Sequence, residues 1–154
     1  MAENVSPSKR QRPRKVEVRI PSELGWERAA MDVAASVARL MGFPADRIED
    51  IKTAVSEATL NAIEHGNATG EAGKVVIVLY PEEQQLKINV HDHSPTPFDA
   101  ARAVATIPEL EEKLAGTASA RGWGLFLIQS LVDEVQFTST RDGNQVRMVI
   151  HLEA

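Results

Sequence analysis

The spacing of hydrophobic residues changes along this chain, and that change limits the folds it can adopt. Residues 15–21 (KVEVRIP) alternate apolar and charged side chains, which is the pattern of a half-buried strand. Residues 26–41 instead repeat apolar side chains at helical spacing. Asp46 followed by Glu49 resembles the capping box that begins a helix, so a second helix is predicted from about 47 to 66. The chain therefore begins with a strand and two helices.

The rest of the chain predicts two hairpins separated by a long connection and a third helix. Apolar runs at 75–80 and 86–92, joined by PEEQQ, indicate the first hairpin. Residues 121–135 (RGWGLFLIQSLVDEV) indicate a glycine-rich entry into a helix, and the second hairpin turns around 142–144 (DGN). Residues 94–120 are rich in proline and small residues, with short helical pieces expected around 99–114. A connection of that length is usually functional or mobile.

The predicted order of elements is β, α, α, β, β, loop, α, β, β. It favours an α+β fold, a two-layer sandwich in which helices cover one face of a mainly antiparallel sheet. The chain has 154 residues, the usual size of one domain. We therefore expect residues 15–154 to form a single domain after a flexible basic tail at 1–14.

Charge and composition exclude several functional classes. The first 15 residues have a local charge of +4 within a formal total of -5, so the remaining residues carry -9. The cationic residues among these 15 are Lys9, Arg10, Arg12, Arg14 and Lys15. Because the residues after the first 15 are so acidic, general nucleic-acid binding is disfavoured. The absence of cysteine excludes disulfides and thiolate metal sites. With no apolar run of about 18 residues and no signal-peptide core, we expect a cytoplasmic protein without a membrane segment.

Three polar residues recur at steps of four in residues 56–67 (SEATLNAIEHGN): Glu57, Asn61 and His65. On a helix they lie above one another, about 6 Å apart, along the border of the apolar stripe. A carboxylate there can take a proton from an attacking hydroxyl, and an amide oxygen one turn away can ligate Mg²⁺. Surface or capping roles are the alternative for each residue. A zinc site at His65 is disfavoured because no second histidine or cysteine ligand is near.

Two further positions suggest ligand binding. Asp92 continues the inward-facing apolar row of its strand, so its carboxylate needs a partner, either the amino group of a bound base or the following turn. Gly122 and Gly124 flank Trp123 where a helix begins, and the free N–H groups of a first turn suit a phosphate. Arg121 could add a charge-assisted contact. An ordinary tight turn is the alternative interpretation of the two glycines.

Together these segments resemble the ATP-binding domains of the GHKL type, over about residues 15–152. SEATLNAIEHGN is similar to their asparagine-containing box, VHDHSPTPFD to a degenerate first glycine box, and RGWGLFLIQSLVDEV to the second glycine box. The short chain and the pattern GxGLFLIxxLxDEV most resemble bacterial anti-sigma-factor serine kinases. Histidine kinases fit less well, because nothing here supplies a helical phosphoacceptor domain.

The resemblance implies a role for each matching residue. Glu57 is implied to be the general base, Asn61 the Mg²⁺ ligand, and Asp92 the acceptor for the adenine amino group. Residues 94–120 are implied to form the lid over ATP. The remaining residues implied to bind the nucleotide are Ser94, Arg121, Gly122, Trp123, Gly124 and Leu125.

The resemblance also implies an activity and partners. Such kinases transfer the γ-phosphate of ATP to a serine of an anti-anti-sigma (STAS-type) protein, sequester a sigma factor and form homodimers. This chain departs from the pattern, because Ser94 and Thr96 stand where the first glycine box has glycines. Two alternatives therefore stay open. One is a non-catalytic or weakly nucleotide-binding partner-switch module, and the other is a switch kinase that regulates a phosphatase partner.

Overall fold

The computed structural model describes residues 13–65, 74–93 and 121–153. Within these ranges the helices are α1 (Glu27–Met41), α2 (Ala45–His65) and α3 (Arg121–Leu131). The strands there are β1 (Val16–Pro21), β2 (Lys74–Pro81), β3 (Gln85–His91), β4 (Glu134–Thr140) and β5 (Gly143–His151). The predicted lid at 94–120, with its short helical pieces, lies outside the described residues, as does most of the predicted basic tail.

The five described strands form one sheet in the order β1-β2-β3-β5-β4, and every neighbouring pair is antiparallel. Alternate residues of the strands are buried and share one hydrophobic core with the helices. Those of the three central strands are Val75, Ile77, Leu79, Leu86, Ile88, Val90, Val146, Met148 and Ile150. The predicted α+β sandwich is confirmed. No helix in the described ranges is both long and apolar enough to cross a membrane.

Two helices differ from their predicted bounds. α2 begins at Ala45, so Asp46 lies within its first turn instead of capping it, where its charge complements the helix dipole. α3 ends at Leu131, whereas the segment predicted to enter and form this helix extends to 135. The chain joins the sheet at that point, because the N–H of Asp133 donates to the carbonyl oxygen of Val149 at 3.0 Å. The hydrogen bonds of the sheet therefore replace the next turn of the helix.

Arg47, near the start of α2, holds the end of α3 in place. Its Nη1 donates to the carbonyl oxygen of Leu131 (2.6 Å) and to Asp50 (3.2 Å), and its Nη2 donates to Asp133 Oδ2 (2.7 Å). The same Asp133 oxygen accepts the backbone N–H of His151 at 2.7 Å. One guanidinium thus joins α2, α3 and the β4–β5 hairpin, and fixes how α3 lies along α2.

Arg47→Ala is expected to lower the free energy of unfolding by about 1–2 kcal/mol at neutral pH, because three acceptors lose a charged donor that is partly screened by solvent. Burial raises the pKa of Asp133, but the His151 N–H and the Arg47 side chain outweigh burial and hold it below its ordinary value. The stabilisation is therefore present above the unfolded-state pKa of this aspartate and is lost as pH falls through its lowered folded-state pKa.

Denaturant unfolding from pH 7 down to pH values of about 2 measures this effect, since the range spans the pKa values of carboxyl groups. Lys52→Ala is the matched control, because it removes a surface ion pair within α2, whose Nζ–Oε1 distance is 3.3 Å. Such a pair contributes about 0.5 kcal/mol or less. Equal losses in the two variants would show that Arg47 does not clamp α3.

Thr59 is a polar residue in the middle of the core. It is fully buried, and its Oγ1 has no hydrogen-bond partner in the part of the chain that the structure describes. Thr59→Val keeps the branched shape and removes the buried hydroxyl, so the free energy of unfolding is expected to rise by about 1 kcal/mol. Thr53→Val is the control, because its exposed hydroxyl donates to the Glu49 carbonyl at 3.0 Å and no gain is expected. A loss of stability in Thr59→Val, measured by denaturant unfolding, would contradict the prediction.

Candidate functional site

The fold brings the C-terminal half of α2 and the end of β3 to the same end of the molecule. Ser22 directly follows β1, and its hydroxyl donates to the carbonyl oxygen of Ile63 in α2 at 3.3 Å. The end of β1 pairs with the beginning of β2, which in turn pairs with the end of β3. Asp92 directly follows β3, so it lies at the end where Asn61 and its neighbours are found.

Two residues of the predicted row on α2 meet α3. Glu57 is half-buried and Asn61 is 4% exposed. Gly124 of α3 lies so close that a Cβ atom added to it would be 2.7 Å from Glu57 Oε2 and 3.5 Å from Asn61 Nδ2. The structure thus brings a carboxylate and an amide of α2 together with a glycine backbone of α3 that is far from them in sequence. His65 is the last residue of α2, and its side chain lies outside the described part.

The amide of Asn61 is buried with an unsatisfied atom. Its Nδ2 has no hydrogen-bond partner among the described residues. Leaving a polar group unpaired in the interior costs about 1–3 kcal/mol, a cost that a bound ligand or water would remove. Rotation of the amide exchanges nitrogen and oxygen, and the unpaired position can therefore offer either a donor or an acceptor. Asn61 accordingly fits a polar ligand held between α2 and α3.

The carboxyl group of Glu57 is more basic than an ordinary glutamate. Burial raises its pKa, and the negative charge of Glu64, two turns further along α2, raises it further. A carboxylate with a raised pKa accepts a proton more readily near neutral pH. Glu57 therefore has the electrostatic environment of a general base.

The carboxylate of Asp92 has a partner on β5. Asp92 is 1% exposed; its Oδ1 accepts the backbone N–H of Asn144 at 3.0 Å, and its own N–H donates to the Asn144 carbonyl at 2.9 Å. The expectation that this buried carboxylate needs a partner is confirmed. The partner that the structure shows is the β5 backbone, which is neither the base amino group nor the following turn that the sequence suggested.

The tip of the β4–β5 hairpin packs directly against Asp92, which sequence reasoning missed. Gly143 has φ +131°, and an added Cβ would overlap the carbonyl oxygen of Asp92 and lie 2.8 Å from the Cα of His93. Asn144 is also held from its other side, because Ser139 Oγ donates to its Oδ1 at 2.7 Å. The Asp-Gly pair predicts the turn correctly. Its contact with Asp92 joins segments about 50 residues apart, and no local pattern encodes that.

The other predicted binding residues are only partly described. Ser94 lies outside the described residues. Residues 121–123 form the first turn of α3, with side chains outside the described part, so both glycines lie within the helix and not in a turn before it. Leu125 is 6% exposed and belongs to the hydrophobic core. Its side chain packs inside the protein, which leaves only its backbone for contact with a ligand.

The comparison with known families agrees with this arrangement. The sequence profile of the family described as histidine kinase-like ATPase domain matches residues 20–150, which is most of the chain and includes the whole candidate site. The chain belongs to this family.

Curated relatives of this histidine kinase-like ATPase domain are named serine-protein kinase RsbW. Those of Bacillus thuringiensis (strain Al Hakam) and Bacillus cereus (strain AH820) are each 32% identical over 133 residues. The alignment covers 79% of this chain and 76% of each relative. The match therefore extends over most of both proteins and is not limited to the motifs.

Solved structures share the fold. The structure of the RsbU and RsbW domains of a Mycobacterium tuberculosis protein has a TM-score of 0.64 and 18% identity. It covers 92% of this chain, and this chain spans 34% of that structure. The histidine kinase domain of a blue-light activated kinase from Erythrobacter litoralis has a TM-score of 0.53 and 17% identity, with 85% of this chain and 61% of that one covered. At these identities the likeness concerns the fold alone.

Proposed function

We propose that this histidine kinase-like ATPase domain is a serine/threonine-protein kinase and anti-sigma factor that uses ATP and Mg²⁺. The names of its relatives support phosphate transfer to serine. The observation that carries the proposal is the meeting of three features between α2 and α3: the half-buried Glu57 with its raised pKa, the buried Asn61 with an unpaired amide atom, and the bare backbone of Gly124.

Glu57 and Asn61 divide the chemistry in this proposal. Glu57 accepts the proton of the serine hydroxyl while the hydroxyl oxygen forms a bond to the γ-phosphorus and the bond to ADP breaks. Asn61 ligates Mg²⁺ through its amide oxygen, which suits a hard ion that prefers oxygen ligands. The unpaired atom in this structure is Nδ2, and rotation of the amide would place its oxygen at that position to ligate the ion. When bound, Mg²⁺ neutralises negative charge on the phosphate oxygens.

The remaining site residues hold the nucleotide in this proposal. Asp92 accepts a hydrogen bond from the adenine amino group, and the Asn144 N–H at the hairpin tip keeps the Asp92 carboxylate in place. The N–H groups at the start of α3, at Gly122 and Gly124, face the phosphates together with Arg121. The other proposed contacts are Ser94, Trp123 and the backbone of Leu125, with residues 94–120 as the lid.

The proposed partners are a STAS-type anti-anti-sigma protein, whose serine receives the phosphate, and a sigma factor that the kinase sequesters. We also propose that the kinase regulates transcription as a cytoplasmic homodimer, with no direct contact to nucleic acid or membrane. In this proposal residues 15–154 form the single kinase domain. The sequence of 1–14 adds a basic segment of unassigned role.

A second candidate function is a partner-binding module that holds nucleotide weakly or not at all. Ser94 and Thr96 stand where the first glycine box of such kinases has glycines, and that observation favours it. A serine is costly where the backbone needs a positive φ or a very close approach to the nucleotide. In such a module the partner switch would operate without phosphate transfer.

Two measurements with the full chain separate these candidates. Calorimetry with ATP and Mg²⁺ tests nucleotide binding, and incubation with labelled ATP and a STAS-type protein tests transfer. The kinase requires heat of binding and label on the partner, and no label when the acceptor serine of the partner is replaced by alanine. Partner binding without heat or label would establish the second candidate instead.

A further inference from the structure

Gly124 is a glycine that the backbone does not require. It lies inside α3, and the described glycines with positive φ are Gly25, Gly42 and Gly143. A glycine within a helix costs about 0.5–1 kcal/mol relative to alanine. Because no unusual dihedral angle explains it, the reason for a glycine here must be the space that a side chain would fill.

That space is next to the carboxylate of Glu57. A Cβ at position 124 would lie 2.7 Å from Glu57 Oε2, closer than carbon and oxygen atoms approach without a bond. The same Cβ would lie 3.5 Å from Asn61 Nδ2 and 3.8 Å from Asn61 Oδ1, which are ordinary contacts. An alanine at 124 would therefore displace the carboxylate of Glu57 and leave Asn61 in place.

The displaced atom belongs to the end of a flexible side chain. Glu57 can rotate away without moving α2 or α3, so the added methyl group has little effect on the fold. Its effect falls on the position of the carboxylate. A misplacement of about 1 Å in a reacting group can reduce a rate by about 10²-fold.

We propose that Gly124 is a positioning residue for Glu57, and that the bare backbone of α3 provides the space that holds this carboxylate in its reactive position beside Asn61. This inference rests on the proposed function, in which Glu57 is the general base. It gives Gly124 a task separate from phosphate binding, because the contact is made to a protein side chain.

Gly124→Ala tests the assignment. Phosphate transfer to the STAS-type protein is expected to fall by about 10²-fold. The Kd for ATP with Mg²⁺ is expected to stay within about threefold, a change of less than 1 kcal/mol. Thermal unfolding is expected at the same or a higher temperature, since alanine is the better helix former. Ser130→Ala, at an exposed position of the same helix, is the matched control and should leave all three unchanged. Alanine keeps the backbone N–H that is proposed to face the phosphates, so if ATP affinity falls together with transfer, the nucleotide itself needs the space beside Gly124 and the proposal is wrong.

A double-mutant cycle adds a measurement that would not change if the role of Gly124 were purely structural. Glu57→Asp withdraws the carboxylate by one methylene group and lowers transfer in the wild-type background. In the Gly124→Ala background the carboxylate is already displaced, so the further loss is expected to be smaller. Fully additive losses in transfer would overturn the proposal.

Carbon-13 NMR of the Glu57 carboxyl group makes the test independent of activity. The resonance is assigned by its disappearance in Glu57→Gln. It is expected to shift in Gly124→Ala and to stay in place in Ser130→Ala. An unchanged resonance in Gly124→Ala overturns the proposal whatever the activity. A shifted resonance in a protein whose wild type transfers no phosphate would support the placement and refute the proposed kinase function.

Discussion

Glu57→Gln is expected to reduce phosphate transfer by about 10²- to 10⁴-fold, which is the range that a positioned general base contributes. Glutamine keeps the length of the side chain but cannot take the proton of the serine hydroxyl. ATP affinity should be unchanged or slightly higher, because a negative charge near the phosphates is removed. Labelled transfer and calorimetry with ATP and Mg²⁺ measure the two quantities separately.

The same substitution is expected to stabilise the protein at neutral pH. Burial, and then the charge of Glu64, raise the pKa of Glu57 above its ordinary value, so its ionised form destabilises the folded state. The gain in Glu57→Gln should be complete above this raised pKa. It should disappear below the unfolded-state pKa of the residue, where the wild-type side chain is also neutral in both states. Thermal unfolding across this pH range measures the gain.

Glu83→Gln is the matched control for both effects. Glu83 is exposed in the turn between β2 and β3, so its substitution should change neither transfer nor stability. Full transfer in Glu57→Gln would show that another group accepts the proton. Loss of transfer without the pH-dependent gain in stability would show that the carboxylate acts from a more solvated position than this structure gives it.

The sequence predicted what local periodicity encodes. The apolar stripe of α2 and the row of Glu57 and Asn61 follow from the helical repeat, and both residues meet α3 in the structure. The hairpins follow from alternation and turn residues. The ends of helices were less predictable, because α3 stops where Asp133 joins the sheet. That ending depends on β5, which no pattern within residues 121–135 describes.

Contacts between distant segments explain what sequence reasoning missed. The glycine pattern around Gly124 predicts phosphate binding, yet the atom nearest to an added side chain belongs to Glu57. Asp92 was identified from the strand that it follows, but its carboxylate is held by Asn144 on another strand. The pairing of β3 with β5 creates that contact. Strand order is a property of the whole fold, so the supporting residues of a site are harder to predict than the site itself.

Gly143→Ala is expected to lower the free energy of unfolding by about 3–5 kcal/mol, from two separate costs. A φ of +131° is strained for any residue with a side chain. The added Cβ would also overlap the carbonyl oxygen of Asp92 and lie 2.7 Å from its carbonyl carbon. These are backbone atoms, which cannot rotate away as the carboxylate of Glu57 can. The hairpin tip and the segment after β3 must therefore separate.

Gly42→Ala distinguishes the two costs. Gly42 ends α1 with φ +93°, and no atom of the described residues lies within 4 Å of an added Cβ, so alanine there meets backbone strain alone, about 1–2 kcal/mol. The difference between the two variants in denaturant unfolding measures the overlap with Asp92. Equal losses of stability in the two variants would show that the hairpin tip moves at little cost and does not hold Asp92.

Separation of the hairpin tip also has a functional consequence. Asn144, whose N–H donates to Asp92 Oδ1, directly follows Gly143. A displacement of Gly143 therefore also displaces the hydrogen-bond donor of Asp92. If Asp92 binds the adenine amino group, calorimetry should show at least about a tenfold loss of ATP affinity in Gly143→Ala, equivalent to one charge-assisted hydrogen bond. Gly42→Ala should bind ATP as the wild type does. Unchanged affinity in folded Gly143→Ala would place the adenine elsewhere and leave Asp92 as a structural carboxylate that joins β3 to β5.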